Sequence, residues 1–446
     1  MTASSTHRRS ENSSSSEQDA NAPNLRVRSV ILCGSSVRSL AESAIQAGFR
    51  PLCVDFFEDA DLKKLLQNGR GRFIGRIDSF HELPDCVRSV RRSVPMVWAG
   101  GLENHCDALR EIAAERVLIG PDLSMVERVR NPEFAANCLA ETGIRVPLIS
   151  RGHIDPNRNW LCKSSASSGG LGIRPVNVAS SVPSDSTSDD DDTFYQEYID
   201  GVSMSATFVS SNKTCRLVGT SLQLNGWPCL GASGFQFCGN AGPVQLPQHF
   251  QTQLLSAGMA FRTHGLRGVF GVDFVLRNGE LWFLEVNPRL TASHMLYDST
   301  QTNSTLFLQH LNSLGYGSAR PTPRRPKPPS AQQPRVAIRL IVWSKRKATV
   351  GQRLLEPTWH ISETCRLCDV PEKNSMIPAA SPVCSVEVCG ATLPHAIHDV
   401  AGLQQKRRLQ FLCNWSAVAD ALTSLLRRFE ANIFHERRQN PARRRP

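Results

Sequence analysis

The sequence predicts a multidomain α/β protein. An open parallel α/β domain opens the folded part, an α+β region follows, and a small β-rich module closes it. Three observations carry this. Strand and helix patterns alternate over residues 26–125. Two strand-like runs bearing acids meet at Asn278-Gly279. Beyond a proline-dense stretch, Val336 to Val342 begins a second series of strand patterns.

Residues 1–25 are rich in Ser, Asn, Glu and Arg, with almost nothing apolar. Such a segment cannot bury a core, and a disordered tail is expected. Val27 to Cys33 reads as a strand, followed by Gly34-Ser35-Ser36 and a helix that stops at Gly48. Pro51 to Phe56 and Met96 to Ala99 are two further strands; a helix over Glu103–Ala114 and a strand over Val117–Ile119 complete the set. Strands alternating with helices imply a parallel sheet. Ligands in such sheets bind at the carboxyl ends of the strands. Gly34 to Arg38 is therefore either one wall of a substrate site, with Arg38 receiving an anion, or a simple tight turn. It lacks the full glycine pattern of a dinucleotide site.

Within 126–315, Asn131-Pro132 opens a helix running to Thr142. Trp160 to Lys163 is a strand ending in lysine, and Ser164 to Gly172 is a loop of small residues. Small residues let backbone N–H groups wrap a phosphate, and the preceding lysine adds charge. Asp189 to Asp192 mark an acidic surface insertion over 180–193. Phe194 to Gly201 is a strand leading into a glycine turn, and a helix is expected over Gln248–His264.

The most informative segment runs from Gly271 to Arg289. Its second strand ends Glu285-Val286-Asn287-Pro288-Arg289. Two carboxylates and an amide oxygen are hard ligands that suit Mg²⁺, and arginine suits a phosphate. Side chains alternate faces along a strand. A three-residue loop Arg277-Asn278-Gly279, pairing Leu276 with Glu280, would put Asp273, Glu285 and Asn287 on one face. Phe270, Val272, Phe274, Leu276, Trp282, Leu284 and Val286 would then form the apolar face. A two-residue Asn-Gly turn would place Asp273 opposite Leu284, on the wrong face.

This hairpin resembles the metal-binding hairpin of the ATP-grasp ligases, the group that includes biotin carboxylase and D-alanine–D-alanine ligase. The resemblance covers roughly residues 26 to 315 and implies a two-lobe ATP-grasp domain over 126–315. It also implies ATP with Mg²⁺ or Mn²⁺ as cofactors. Asp273, Glu285 and Asn287 would be metal ligands, and Arg289 would face the transferred phosphoryl group. Lys163 would act with a mobile lid over 163–172, in which Ser167, Ser168, Gly169 and Gly170 close over the phosphates. Gln196, Glu197 and Ile199 match the hinge that binds the adenine edge. Two positions depart from the family. Arg128 and Arg130 stand where a further lysine is usual, and Ser203 stands where an acid often contacts ribose.

The implied activity is an ADP-forming carboxylate–amine ligase that works through an acylphosphate. Its partners would be a small-molecule carboxylate and an amine. The Gly-Ser-Ser-Val-Arg start and the Asn-Pro-Arg-x-Thr-Ala-Ser run look similar to predicted ligases linked to tetrahydromethanopterin or methanofuran cofactors. Two alternatives are a carboxylase-type subunit and a non-catalytic nucleotide-binding protein.

The formal net charge is +11, concentrated in Arg324, Arg325 and Lys327 of the 316–335 linker and in the arginines of the 433–446 tail. No aromatic-rich basic stripe accompanies it, so solvated tails are expected rather than a nucleic-acid surface. No apolar run of about 18 residues appears, which argues against a membrane span. Nor is a signal peptide evident. A cytoplasmic protein follows, with a homodimer compatible. Cys365, Cys368, Cys384 and Cys389 invite a zinc reading, but irregular spacing favours buried thiols. His294 would either reach the substrate end of the site or sit on a helix face. The C-terminal module, 336–432, is expected to end in a helix over 402–430.

Overall fold

A computed structural model describes residues 28–176, 193–300, 304–317, 335–351, 359–407 and 409–433. Residues 1–25 and nearly all of the 180–193, 316–335 and 433–446 segments lie outside the described residues.

The first sheet is parallel: β1 (Ser29–Cys33), β2 (Arg50–Asp55), β3 (Arg72–Arg76) and β4 (Met96–Trp98) lie in the order β3-β2-β1-β4. β1 is buried because helices cover both faces of the sheet, as its run of apolar residues requires. The expected strand at 117–119 is reduced to one parallel bridge between Leu118 and Met96. The helix expected over Glu103–Ala114 is a 3₁₀ turn, Leu102–Asn104, followed by a helix over Cys106–Ala113.

A second, antiparallel sheet forms the small lobe: β5 (Ile149–Ser150), β6 (Trp160–Ser164), β7 (Arg174–Val176) and β8 (Thr193–Glu197), in the order β5-β8-β6-β7. The preceding helix, Pro132–Cys138, is shorter than expected; Asn131 caps it by accepting the Phe134 N–H at 2.8 Å.

Eight strands make the central sheet. They are β9 (Val202–Ser210), β10 (Cys215–Asn225), β11 (Phe237–Val244), β12 (Gly268–Arg277), β13 (Glu280–Asn287), β14 (Val336–Trp343) and, after a short β15 (Ala348–Thr349), β16 (Cys365–Cys368). A short β17 (Met376–Ile377) pairs with β15, and β18 (Pro382–Gly390) completes the set. The order is β13-β12-β9-β10-β11-β14-β18-β16. Apart from the short β15–β17 pair, the β-rich C-terminal part thus joins this sheet and does not build one of its own. β14 pairs with β11, and one apolar cluster runs from Met125 to Phe429. Its helices are Leu393–Gly402 and Trp415–Ile433, so the single helix expected over 402–430 starts later.

The hairpin departs from the three-residue loop. Arg277 pairs with Glu280, leaving Asn278 and Gly279 as a two-residue turn, both with positive φ (51° and 79°). Such turns match the twist of the flanking strands. A register shift then leaves Leu284 as an extra residue, so Asp273 lies opposite Glu285. The apolar face is correspondingly Leu281, Phe283 and Val286 against Phe270, Val272, Phe274 and Leu276; Trp282 and Leu284 leave the core.

Candidate functional site

One cavity of about 480 Å³ lies between the small lobe, the hairpin and the final helix. Lys163, Ser167, Ser168, Gly169, Gly170, Gln196, Glu197, Ile199, Asp273, Glu285, Asn287 and Arg289 all line it. Residues spread from 163 to 289 therefore converge on one space.

The hairpin supplies the acids. Asp273 and Glu285 are cross-strand partners, and the Asn287 amide nitrogen donates to Asp273 Oδ2 at 3.0 Å. Burial, and then the neighbouring Glu285, push the Asp273 carboxyl up to about 6, against hydrogen bonds from Ser205 and Gln223. Two carboxylates held this close repel each other, and a divalent cation between them relieves that repulsion. The residues present fit a hard cation: two carboxylates and an amide oxygen on one face.

Arg289 follows the strand and turns toward the first domain. Its Nε and Nη2 donate to Glu103 Oε1 at 2.8 and 2.6 Å, and Nη2 also donates to Asn287 Oδ1 at 3.1 Å. Glu103 is buried, which alone would raise its pKa, yet Arg289 holds it below the usual carboxylate range. Its other oxygen accepts the Gly101 N–H at 2.7 Å. Sequence reasoning missed Glu103, which lies 186 residues from Arg289.

Lys163 is buried at the end of β6 and donates to Gln196 Oε1 at 3.1 Å. Burial lowers its pKa, while Glu285 and Asp273 pull the other way. The Gln196 amide nitrogen donates to the Leu284 carbonyl at 3.4 Å, so Gln196 links lysine to hairpin. The Glu197 carboxylate is engaged by Arg158 at 2.6 Å. Around it, Gln196, Tyr198, Ile199, Asp200 and Gly201 of the same segment also line the cavity.

The loop after Lys163 lies against the central sheet. Gly169 O accepts the Phe237 N–H at 2.9 Å. A Cβ on Gly170, whose φ is +73°, would sit 1.9 Å from the Phe235 carbonyl oxygen, so only glycine fits there. Arg130 donates to the Ser165 and Ser167 carbonyls at 2.6 and 2.8 Å and to Asn104 Oδ1 at 3.0 Å. Of the two arginines in the expected lysine position, Arg130 thus roots the loop; Arg128 stacks over Phe134 instead.

Three groups for which the sequence left alternatives open lie away from the cavity. Arg38 does not wait for an anion: it is buried in ion pairs to Glu387 (2.8 Å), Glu42 (3.1 Å) and Asp369 (3.2 Å). His294 is buried, with Nδ1 2.8 Å from the Thr291 carbonyl. The four C-terminal cysteines lie on β16 and β18 and do not converge; among the described residues the one group of three or more His, Cys, Asp and Glu side chains close enough to share a metal ion is His81, His105 and Asp107. Among the described residues no helix is long and apolar enough to cross a membrane.

Residues 133–293 match the family model described as an ATP-grasp domain. A curated relative, an uncharacterized protein of Methanocaldococcus jannaschii, is 23% identical over 197 residues, or 43% of this chain. The aligned stretch spans only 41% of that relative's length. Biotin carboxylase of Campylobacter jejuni, solved as a β-γ-ATP complex, superposes with a TM-score of 0.59 at 15% identity, over 85% of this chain and 91% of its own. Carboxyaminoimidazole ribonucleotide synthase of Aspergillus clavatus, solved with ATP, gives 0.59 at 16% identity, over 89% of this chain and all of its own. By family model and by fold, this chain carries an ATP-grasp domain.

Proposed function

We propose that the chain is an ADP-forming carboxylate–amine ligase dependent on ATP and Mg²⁺. The observation that supports it best is the convergence of Lys163, the 163–172 loop, Asp273, Glu285, Asn287 and Arg289 on one cavity. Asp273, Glu285 and Asn287 would hold Mg²⁺ or Mn²⁺, which when bound offsets phosphate charge. The hinge residues Gln196, Glu197 and Ile199 would flank the base of ATP. Lys163 would neutralise phosphate oxygens, and the N–H groups of Ser167 to Gly170 would cradle them. Arg289, aimed by Glu103, would stabilise the charge of the moving phosphoryl group.

The substrate carboxylate oxygen attacks the γ-phosphorus, and the bond to ADP breaks, giving an acylphosphate. The amine nitrogen then attacks the acyl carbon, phosphate leaves, and the amine loses a proton. The loop pinned by Phe237 keeps water from the acylphosphate. Bicarbonate as the acid is a second reading; the biotin carboxylase fold favours it. The Gly34–Arg38 and Asn287–Ser293 runs carry a narrower proposal, an acid of the tetrahydromethanopterin or methanofuran type.

The test is ADP release from Mg²⁺-ATP with amino acids, pterin-type acids and bicarbonate, beside Glu285→Gln. Release stimulated by one acid–amine pair, and reduced on the order of 100-fold or more in the variant, is expected. ATP binding without stimulated release across the panel would instead favour a nucleotide-binding role.

A further inference from the structure

The turn from Gly101 to His105 joins three parts of the molecule through three consecutive side chains. Glu103 holds Arg289, and Asn104 Oδ1 accepts from Arg130, which also holds the Ser165 and Ser167 carbonyls at the root of the loop. His105, the third, stands beside His81 and Asp107. The His81 and His105 rings meet edge-on at 5.3 Å, and His81 Nδ1 lies 3.5 Å from Asp107 Oδ2. One ligand atom from each of the three residues lies within 4.8 Å of the other two.

The cluster is built by the core beneath it. Phe80 packs on the His105 ring at 5.1 Å. It also closes on Gly101, where a Cβ would sit 2.6 Å from the Phe80 ring. Ser79 Oγ accepts the His81 N–H at 3.3 Å and fixes the turn that carries that ring. Backbone bonds from Asn104 N–H to Gly101 O (3.3 Å) and from His105 N–H to Leu102 O (3.0 Å) hold the other side.

We propose that His81, His105 and Asp107 form a binding site for a borderline transition-metal cation of the Zn²⁺, Ni²⁺ or Co²⁺ class. Two imidazoles and one carboxylate select such ions over Mg²⁺ and Ca²⁺, which prefer oxygen ligands. His81 and Asp107 are each 66% exposed, which leaves water to complete the coordination. A bound ion would clamp helix Cys106–Ala113 to the 3₁₀ turn Phe80–Glu82 and stiffen the turn that aims Arg289 and roots the loop. This second, regulatory part rests on the ligase reading; the binding part does not.

Ni²⁺ binding to the untagged full-length chain tests it, measured by calorimetry for wild type, His81→Ala, Asp107→Ala and Glu285→Gln. One ion per chain is expected to be lost or weakened on the order of tenfold or more in the first two variants and kept in Glu285→Gln. Equal binding in wild type and His81→Ala, or loss in Glu285→Gln alone, overturns the site. Added Ni²⁺ should also change stimulated ADP release in wild type but not in His81→Ala. An equal response in both removes the regulatory part. Absence of ADP release under any condition counts against the ligase reading and leaves the binding result standing.

Discussion

At Arg289, one buried guanidinium rests on one buried carboxylate. The Glu103 side chain has no exposure and that of Arg289 only 11%. Removing one partner of such a pair leaves an uncompensated buried charge, which typically costs about 3–5 kcal/mol. Glu103→Ala should therefore lower the urea midpoint strongly, because Asn287 Oδ1 is the one other side-chain acceptor on Arg289 among the described residues. Adding Arg289→Ala should restore part of the loss, since the stranded charge is then gone. Additive losses in the double variant would show that Glu103 acts through packing alone. The site's own residues were legible because they sit in local patterns: Glu285, Asn287 and Arg289 fall within five positions, and Lys163 directly precedes its small-residue loop. Glu103 was not, because no periodicity links it to a partner so far along the chain. Gln196, proposed to flank the base, also accepts from Lys163 through its side-chain oxygen, a contact the sequence did not indicate. Which way an amide turns depends on neighbours that only the fold brings near.

Between elements, the same physics joins the first domain to the C-terminal strands. The helices Arg38–Gln46 and Ala60–Leu66 meet β16 and β18 through Arg38, Asp61, Asp369, Glu387 and Arg366. Asp61 accepts the Asp369 and Val370 N–H groups at 3.0 and 2.9 Å. Burial raises its carboxyl to about 6, against Arg38 and with Asp369. Glu387 goes the other way: it is buried too, but Arg38 and Arg366 pull it down to about 2. A carboxyl raised by folding gives stability that is full below its unfolded pKa of about 3.9 and is lost as pH rises through about 6. A depressed one gives stability that is present above about 4.3 and lost as pH falls toward 2. From pH 7 to pH 5, then, Asp61 should gain stability for the fold while Glu387 contributes a constant amount. The gain from one proton is at most about 1.4 kcal/mol per pH unit. Urea unfolding at pH 5 and 7 should show a shallower dependence in Asp61→Asn than in wild type; parallel slopes would refute the assignment. At this scale the sequence was partly legible. Strand and helix patterns marked β1, β2, β4, β6, β12 to β14 and the helix Gln248–Thr263, but not β3, β11 or the helix Leu393–Gly402, and the hairpin's parity was read one residue off. The Asn278-Gly279 turn is short, and the bulge at Leu284 restores the facing of Asp273 and Glu285. This bulge leaves no signature in the sequence, because its extra residue only lengthens the apolar run Leu281 to Leu284. It turns the Leu284 carbonyl to Gln196 and its side chain into the cavity wall.

Across the whole molecule, the central sheet crosses the boundary that the proline-dense stretch suggested. β11 lies inside the sheet because β14 covers it with register Gly239–Leu340 to Gly242–Ala337. Beyond β14, Val386, Val388 and Trp415 pack in the same cluster as Phe208 and Phe270. The final helix returns to the site: Leu425 and Arg428 line the cavity, and Arg428 reaches Gly201 O at 3.4 Å and Asp200 Oδ1 at 3.3 Å beside the hinge. A linker in sequence is thus no boundary in packing, which composition alone could not reveal. A chain ending at residue 330 should consequently fail as a folded unit, although it retains every residue proposed to touch ATP. It would bare β11 as a long sheet edge, which invites pairing with other chains. It would also strip the final helix from β9 and β12, on which it now packs. The expected result is aggregation or a loosely packed chain whose thermal melting gives no ATP-dependent shift, against a cooperative, ATP-shifted melt for the intact protein. A truncated chain that melts cooperatively and keeps the ATP shift would show that the small lobe, β9–β13 and the first domain are self-sufficient, and that the C-terminal strands only extend a sheet already stable without them.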